Sequence, residues 1–236
     1  MNESELNERT AEVRRAVAEA ARRAGRDLDG VEILPVTKGF PASMVRLVTA
    51  AGFLAVGENR VSEAEAKRAE LERTAPPAVA WHMIGHLQRN KSARAVTLFD
   101  RIDSVDSLRL ASRLAAELEA IDRTELPVLV QVNASGEASK GGFDVAGAVD
   151  AVRAIRNLPR LRVRGLMTMA PFDAPEAELR AVFGRTRRCL EACQNEILGF
   201  DGSVLSMGMS GDFEIAVEEG ATQVRLGTAL LGERPR

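Results

Sequence analysis

The apolar positions of this chain switch between two periods along its length. From residue 3 to 24 they fall at Leu6, Val13, Val17, Ala20, Ala21 and Ala24 among charged residues. That spacing predicts a helix with one buried face, ended by Gly25. A run of strand length follows at 31–36 (VEILPV), then the breakers Gly39 and Pro41 and a helical stretch at 44–50. The alternation repeats with strand 53–56 before Gly57 and helix 60–73, closed by Pro76 and Pro77. Strand 79–84 precedes Gly85 and a short helix after Asn90, and strand 99–102 precedes helix 106–120, with Ser104 or Asp106 as its cap. The second half keeps the rhythm: strand 127–132 and helix 145–156, then strand 161–167 and a long helix 175–197. Two weaker units close the chain, strand 204–207 with a helix from Gly211 and strand 223–226 with a turn at Thr228.

Eight strand–helix units predict a parallel sheet covered by helices, and the count fits a single (β/α)8 TIM barrel better than an open sheet. The chain has 236 residues, which suits one such domain over 1–236 with an extra N-terminal helix. With 45% apolar residues, a chain of this size buries about 70–75% of its unfolded surface. It needs neither a disulfide nor a metal to fold.

Charge narrows the partners. Lys+Arg total 32 against 34 Asp+Glu, interspersed, for a net charge of −2, which argues against nucleic acid. No apolar run approaches the roughly 20 residues of a membrane span, and the first 24 residues are too charged for a secretory leader. The expectation is a cytoplasmic protein with no membrane partner, and a monomer, because no large exposed apolar stripe stands out. Cys189 and Cys193 lie four apart on one helix face, where packing is their expected role. Lysine is scarce: Lys38, Lys67, Lys91 and Lys140 are the only four, and the other 28 basic residues are arginines (32 − 4). Where arginine supplies most of the surface cations, each lysine is a candidate for chemistry that needs an amine able to lose its proton.

In a TIM barrel the chemistry sits on the loops that follow the strands. Lys38 ends strand one, where partial desolvation lowers an ammonium's pKa and frees it to attack a carbonyl; a strand-end lysine simply reaching solvent is the plainer alternative. The loops after strands seven and eight, SMGMSGD (206–212) and RLGTALLG (225–232), bring Ser210, Gly211, Gly227 and Thr228 to the same face. Free backbone amides there suit a phosphate, although glycine turns are common. An amine facing a phosphate cup is what pyridoxal 5′-phosphate requires. Arg225 could then reach the pyridine nitrogen, and a guanidinium that keeps its protons leaves the ring a weak electron sink. The other reading of Arg225 is an ion pair with a barrel carboxylate. His82 and His86 lack a third metal ligand nearby, so they read as core or cofactor-side hydrogen bonders, and Trp81 as packing.

The segments TKGFP (37–41), VGENRVSEAEAK (56–67), WHMIGHLQRNK (81–91), SVDSL (104–108), QVNASGEASKGGF (131–143), GLMTMAP (165–171) and 205–234 together resemble the YggS/PROSC family of pyridoxal phosphate homeostasis proteins. Ser62, Ala134 and Ala138 fall at variable places within those motifs. The resemblance implies a barrel like the N-terminal domain of alanine racemase, with pyridoxal 5′-phosphate held as a Schiff base on Lys38. It further implies that Ser210, Gly211, Gly227 and Thr228 hold the phosphate, Arg225 faces the pyridine nitrogen and Asn59 lies beside the ring. The implied function is binding and delivery of the cofactor within vitamin B6 homeostasis, with apo-forms of pyridoxal-phosphate enzymes as partners and no catalytic turnover. Racemases of the related fold use a tyrosine from a second domain as the opposite base, and this chain contains no tyrosine. Lys91 and Lys140 are candidates for a transient second amine. The competing readings are a one-domain racemase-like enzyme and a Lys38 aldolase acting on a sugar phosphate, which would leave Arg225 without a role.

Overall fold

A computed structural model of the chain describes residues 1–27, 30–73, 78–137 and 140–234. Pro76, Pro77 and Ala138 lie outside the described residues. Eight parallel strands alternate with helices in the order β1 (Glu32–Pro35), α2 (Ala42–Ala50), β2 (Ala55–Glu58), α3 (Val61–Glu72), β3 (Ala80–Met83), α4 (Ser92–Leu98), β4 (Arg101–Val105), α5 (Leu108–Ala120), β5 (Leu126–Gln131), α6 (Ala148–Arg156), β6 (Leu161–Met167), α7 (Glu176–Glu196), β7 (Val204–Ser206), α8 (Phe213–Glu218), β8 (Gln223–Leu226) and α9 (Thr228–Leu231). The extra helix α1 (Glu3–Arg23) precedes them. Strands pair in chain order, with β1 returning to β8. A bridge between Val36 and Gly57 closes the gap to β2, reinforced by the Thr37 N–H donating to the Gly57 carbonyl at 3.1 Å. The barrel is thereby nearly closed, as the unit count predicts.

Each helix lays its apolar face on the strands, and α1 docks outside that ring. A capping box between Asn2 and Glu5 starts α1, and its buried face (Leu6, Val13, Val17, Ala20, Ala21) packs toward α8 and α9. Arg23 pairs with Glu214 at 2.9 Å and Glu218 at 2.6 Å. Cys189 and Cys193 are buried free thiols. Burial pushes the Cys193 thiol up to about 12, so packing is indeed what they do.

Two expectations need correction near β4. The strand lies at Arg101–Val105, displaced toward the C-terminus from 99–102, because Asp103 and Ser104 are polar yet fully buried. Inside a barrel such residues are satisfied by hydrogen bonds to other buried groups, and an apolar pattern cannot reveal them. Arg101 holds Asp103 with 2.6 and 2.9 Å bonds and reaches the Gln223 side-chain oxygen at 2.7 Å. Gln223 in turn donates to Glu32 at 2.8 Å. The cap of α5 is neither Ser104 nor Asp106 but Ser107, whose hydroxyl accepts from the Leu110 N–H. Ser104 instead donates to the Gly85 carbonyl at 2.6 Å.

Candidate functional site

The turn after β1 carries Lys38, and its neighbours on both sides are tied down. The Thr37 hydroxyl donates to Glu58 Oε1 at 2.6 Å, the Thr37 carbonyl accepts from Lys67 Nζ at 2.7 Å, and the Gly39 N–H donates to Glu63 Oε1 at 2.5 Å. Gly39 has φ +77°, the left-handed region glycine tolerates. Lys38 itself is half-buried, and its Nζ has no hydrogen-bond or ion-pair partner among the described residues. Burial pushes its ammonium down, Arg234 and Arg225 push the same way, and together they outweigh Glu63 and Glu58. A lowered pKa means a larger neutral fraction at any pH below it. Reaction of Lys38 with an aldehyde, followed as a rate against pH, should therefore reach its plateau below the pH expected of an ordinary lysine, about 10.4.

Arg225 rises from β8 into the barrel and is only 4% exposed. One guanidinium nitrogen donates to the Ser206 carbonyl at 2.7 Å and the Ser206 hydroxyl at 2.9 Å, and another to the Thr168 carbonyl at 2.8 Å. Three neutral oxygens hold it; among the described residues no carboxylate lies within ion-pair distance. The alternative of a barrel ion pair is thus overturned. Burial without a counter-ion pushes its pKa down to about 10, Asp103 and Asp212 pulling only partly the other way.

Asn59 follows β2. A Cβ on Gly85 would sit 2.4 Å from the Asn59 carbonyl oxygen, so the glycine turn after β3 is what lets the two loops meet. The buried Asn59 Oδ1 has no partner among the described residues. An unpartnered buried amide oxygen is costly, and its partner is expected to come from a ligand.

The loops after β7 and β8 meet through one bond, the Ala229 N–H donating to Ser210 Oγ at 3.1 Å. The Met209 N–H is held by Asp212 Oδ1 at 2.6 Å, which fixes the first loop. Among the described residues, the backbone N–H groups of Ser210, Gly211, Gly227 and Thr228 have no acceptor. A Cβ on Gly211 would meet nothing within 4 Å, so this loop faces open space. Four free amides on two bonded loops make a cup for an anion.

The other sequence candidates are placed less centrally. Lys140 donates to the Ala170 carbonyl at 2.8 Å and pairs with Glu137 at 2.5 Å, so it is engaged. Lys91 lines a cavity of about 400 Å³ with Asn59, Arg60 and His86. His86 Nδ1 lies 3.0 Å from Asp106. His82 is buried in the barrel near Asp103, Arg101 and Glu32, and burial pushes its pKa down. Among the described residues no cluster suits a metal. Lys67, marked in the sequence only as one of the four lysines, converges with Glu58 and Glu63 beneath Lys38, a grouping the sequence does not reveal: Lys67 Nζ lies 2.6 Å from Glu58 Oε1 and 2.8 Å from Glu63 Oε1. Burial pushes the Glu58 carboxyl up against the pull of Lys67 and Thr37. The scarcity of lysine was the one signal pointing to Lys67.

Known proteins resemble this chain over nearly its whole length. The family described as alanine racemase, N-terminal domain, matches residues 10–235. The pyridoxal phosphate homeostasis protein of Pseudomonas aeruginosa is 43% identical over 231 residues, 98% of this chain and 96% of that one. The protein of that name from Escherichia coli K12 is 38% identical over 225 residues, 95% and 94% of the two chains. Among solved structures, PipY of Synechococcus elongatus PCC7942 with PLP bound superposes with a TM-score of 0.82 at 36% identity, covering 96% of this chain and 100% of its own.

Proposed function

Because the chain belongs to the alanine racemase N-terminal domain family, we propose that it is a pyridoxal phosphate homeostasis protein, which captures pyridoxal 5′-phosphate on Lys38 and hands it on. Relatives near 40% identity over almost the whole chain carry that name, and a relative of the same fold holds PLP. The observation that carries the reading is an unpartnered, half-buried amine at the same end of the parallel barrel as loops bearing free backbone amides and an unpartnered amide oxygen.

The residues fit the cofactor. Ser210, Gly211, Gly227 and Thr228 would receive the phosphate through their free amides, and Asn59 would flank the ring with its unpartnered amide oxygen. Arg225, fixed by carbonyl oxygens, would face the pyridine nitrogen as a donor that keeps its own protons and leaves the nitrogen unprotonated. When bound, the cofactor would supply an aldehyde, a group that condenses with a primary amine with loss of water and can be passed on by exchange with a second amine, which frees the first. Lys38 supplies that amine, uncharged more often than an ordinary lysine. The chain contributes no tyrosine as an opposite-face base, and a donor at the pyridine nitrogen withholds the proton that makes the ring a strong electron sink. Both features favour carriage to apo-enzymes over turnover.

Titrating the purified protein with pyridoxal 5′-phosphate tests this. A new visible absorption band is expected, and borohydride reduction followed by peptide mapping should leave the adduct on Lys38. No band, or an adduct on another lysine, would overturn the reading.

A further inference from the structure

Lys67 is an anomaly in this chain. It is 5% exposed, and its partner Glu58 is 0% exposed. A buried ion pair is weak grounds for stability, because taking both charges out of water offsets most of their attraction and a well-packed apolar pair does as well. The position is also filled by lysine in a chain that uses arginine for most of its cations.

The three contacts of Lys67 Nζ explain the choice. The Thr37 carbonyl at 2.7 Å, Glu58 Oε1 at 2.6 Å and Glu63 Oε1 at 2.8 Å converge on one nitrogen. A tetrahedral ammonium with three donors satisfies that arrangement, whereas a planar guanidinium spreads its donors over three nitrogens. Those acceptors come from three separate elements: the turn after β1, the end of β2 and the first turn of α3. Two of them reach the backbone around Lys38. Lys67 holds the carbonyl of residue 37 directly, and it holds Glu63, whose same oxygen accepts the N–H of residue 39 at 2.5 Å. The peptide units before and after Lys38 are therefore clamped to a single buried charge, while the Lys38 side chain is left free.

We propose that Lys67 is a positioning residue for Lys38: with Glu63 and Glu58 it locks the 37–39 turn so that the Lys38 amine is aimed at the aldehyde carbon of a ligand already seated by its phosphate. This rests on the reading of Lys38 as the capturing amine. Reactions between pre-aligned groups lose rate and equilibrium advantage steeply when the alignment loosens. Lys67 touches neither the phosphate cup nor Asn59, so its loss should spare recognition of ring and phosphate and affect only covalent capture.

Two ligands separate these effects. Pyridoxal 5′-phosphate condenses with an amine; pyridoxine 5′-phosphate, the corresponding alcohol, has the same ring and phosphate and cannot. Equilibrium titrations of both with wild type, Lys67→Met, Lys67→Arg and Glu63→Gln supply the test. For Lys67→Met the affinity for the aldehyde is expected to fall about tenfold or more, with the alcohol changed by less than a factor of two. Lys67→Arg, which keeps the charge and loses the convergence, should show the same selective loss, and Glu63→Gln a smaller one. A structural role alone would weaken both ligands together or neither, and that result overturns the proposal. If Lys67→Met does not fold, the same comparison on Lys67→Arg and Glu63→Gln decides it. Wild type is the control for the underlying reading: if it binds the aldehyde no better than the alcohol, covalent capture on Lys38 itself fails, independently of Lys67.

Discussion

Lys38→Ala should bind pyridoxal 5′-phosphate without the visible band of the wild-type adduct and retain it at least about a hundredfold less tightly, since an aligned amine contributes on that scale to a covalent equilibrium. The phosphate cup is untouched, so weak binding should persist and be competed by inorganic phosphate. The fold should not suffer. Lys38 has no partner to lose among the described residues, and burial opposes its charge, so thermal unfolding of the ligand-free variant should occur at the wild-type temperature or slightly above it. Spectral titration and a melting curve on one preparation check both halves. A variant that keeps the band would remove Lys38 from the site, and one that melts well below wild type would make the loss of binding uninformative.

Gly165→Ala should have the largest effect on stability. Gly165 lies in the middle of β6, in register with Leu129 on β5 and Val204 on β7. Its φ is +150°, and an added Cβ would lie 1.9 Å from the Val204 carbonyl oxygen and 2.7 Å from its carbon. The clash is with the backbone of a central strand, which has no rotamer to change, so β6 and β7 would have to separate. A loss of about 4 kcal/mol or more is expected, the range reserved for disruption of a core, lowering the melting temperature by roughly 10 °C or more for a domain of this size. Because β7 leads into the loop carrying Ser210 and Gly211, phosphate affinity should fall with it. Unfolding in denaturant, followed by circular dichroism, reads the first effect directly.

The legibility of the chain differed from element to element. Strands β6 and β8 lie where the apolar pattern put them, since both are bounded by turns and largely buried. β4 shifted because Asp103 and Ser104 are satisfied by Arg101 and the Gly85 carbonyl, through contacts that hydropathy does not register. In the site, Lys38, Arg225 and the residues of the two glycine loops could be picked out because a barrel places strand ends on one face, and Asn59 only through the family resemblance. The grouping of Lys67 with Glu58 and Glu63 could not: lysine scarcity marks Lys67 alone, and α3 shows no strongly one-sided pattern that would turn it inward.

What the sequence determined by itself was the order of elements, hence the barrel, and the identity of the groups that line its mouth, because local periodicity and turn residues act over short stretches of chain. What only the tertiary structure decided was which of those groups are already engaged. Lys140 is taken up by Ala170 and Glu137, and Arg225 by carbonyl oxygens instead of a carboxylate, while Lys38 and the Asn59 amide oxygen are left without partners among the described residues. Hydrogen bonding and desolvation depend on distances between atoms brought together from far along the chain, and those distances exist only once the barrel has closed.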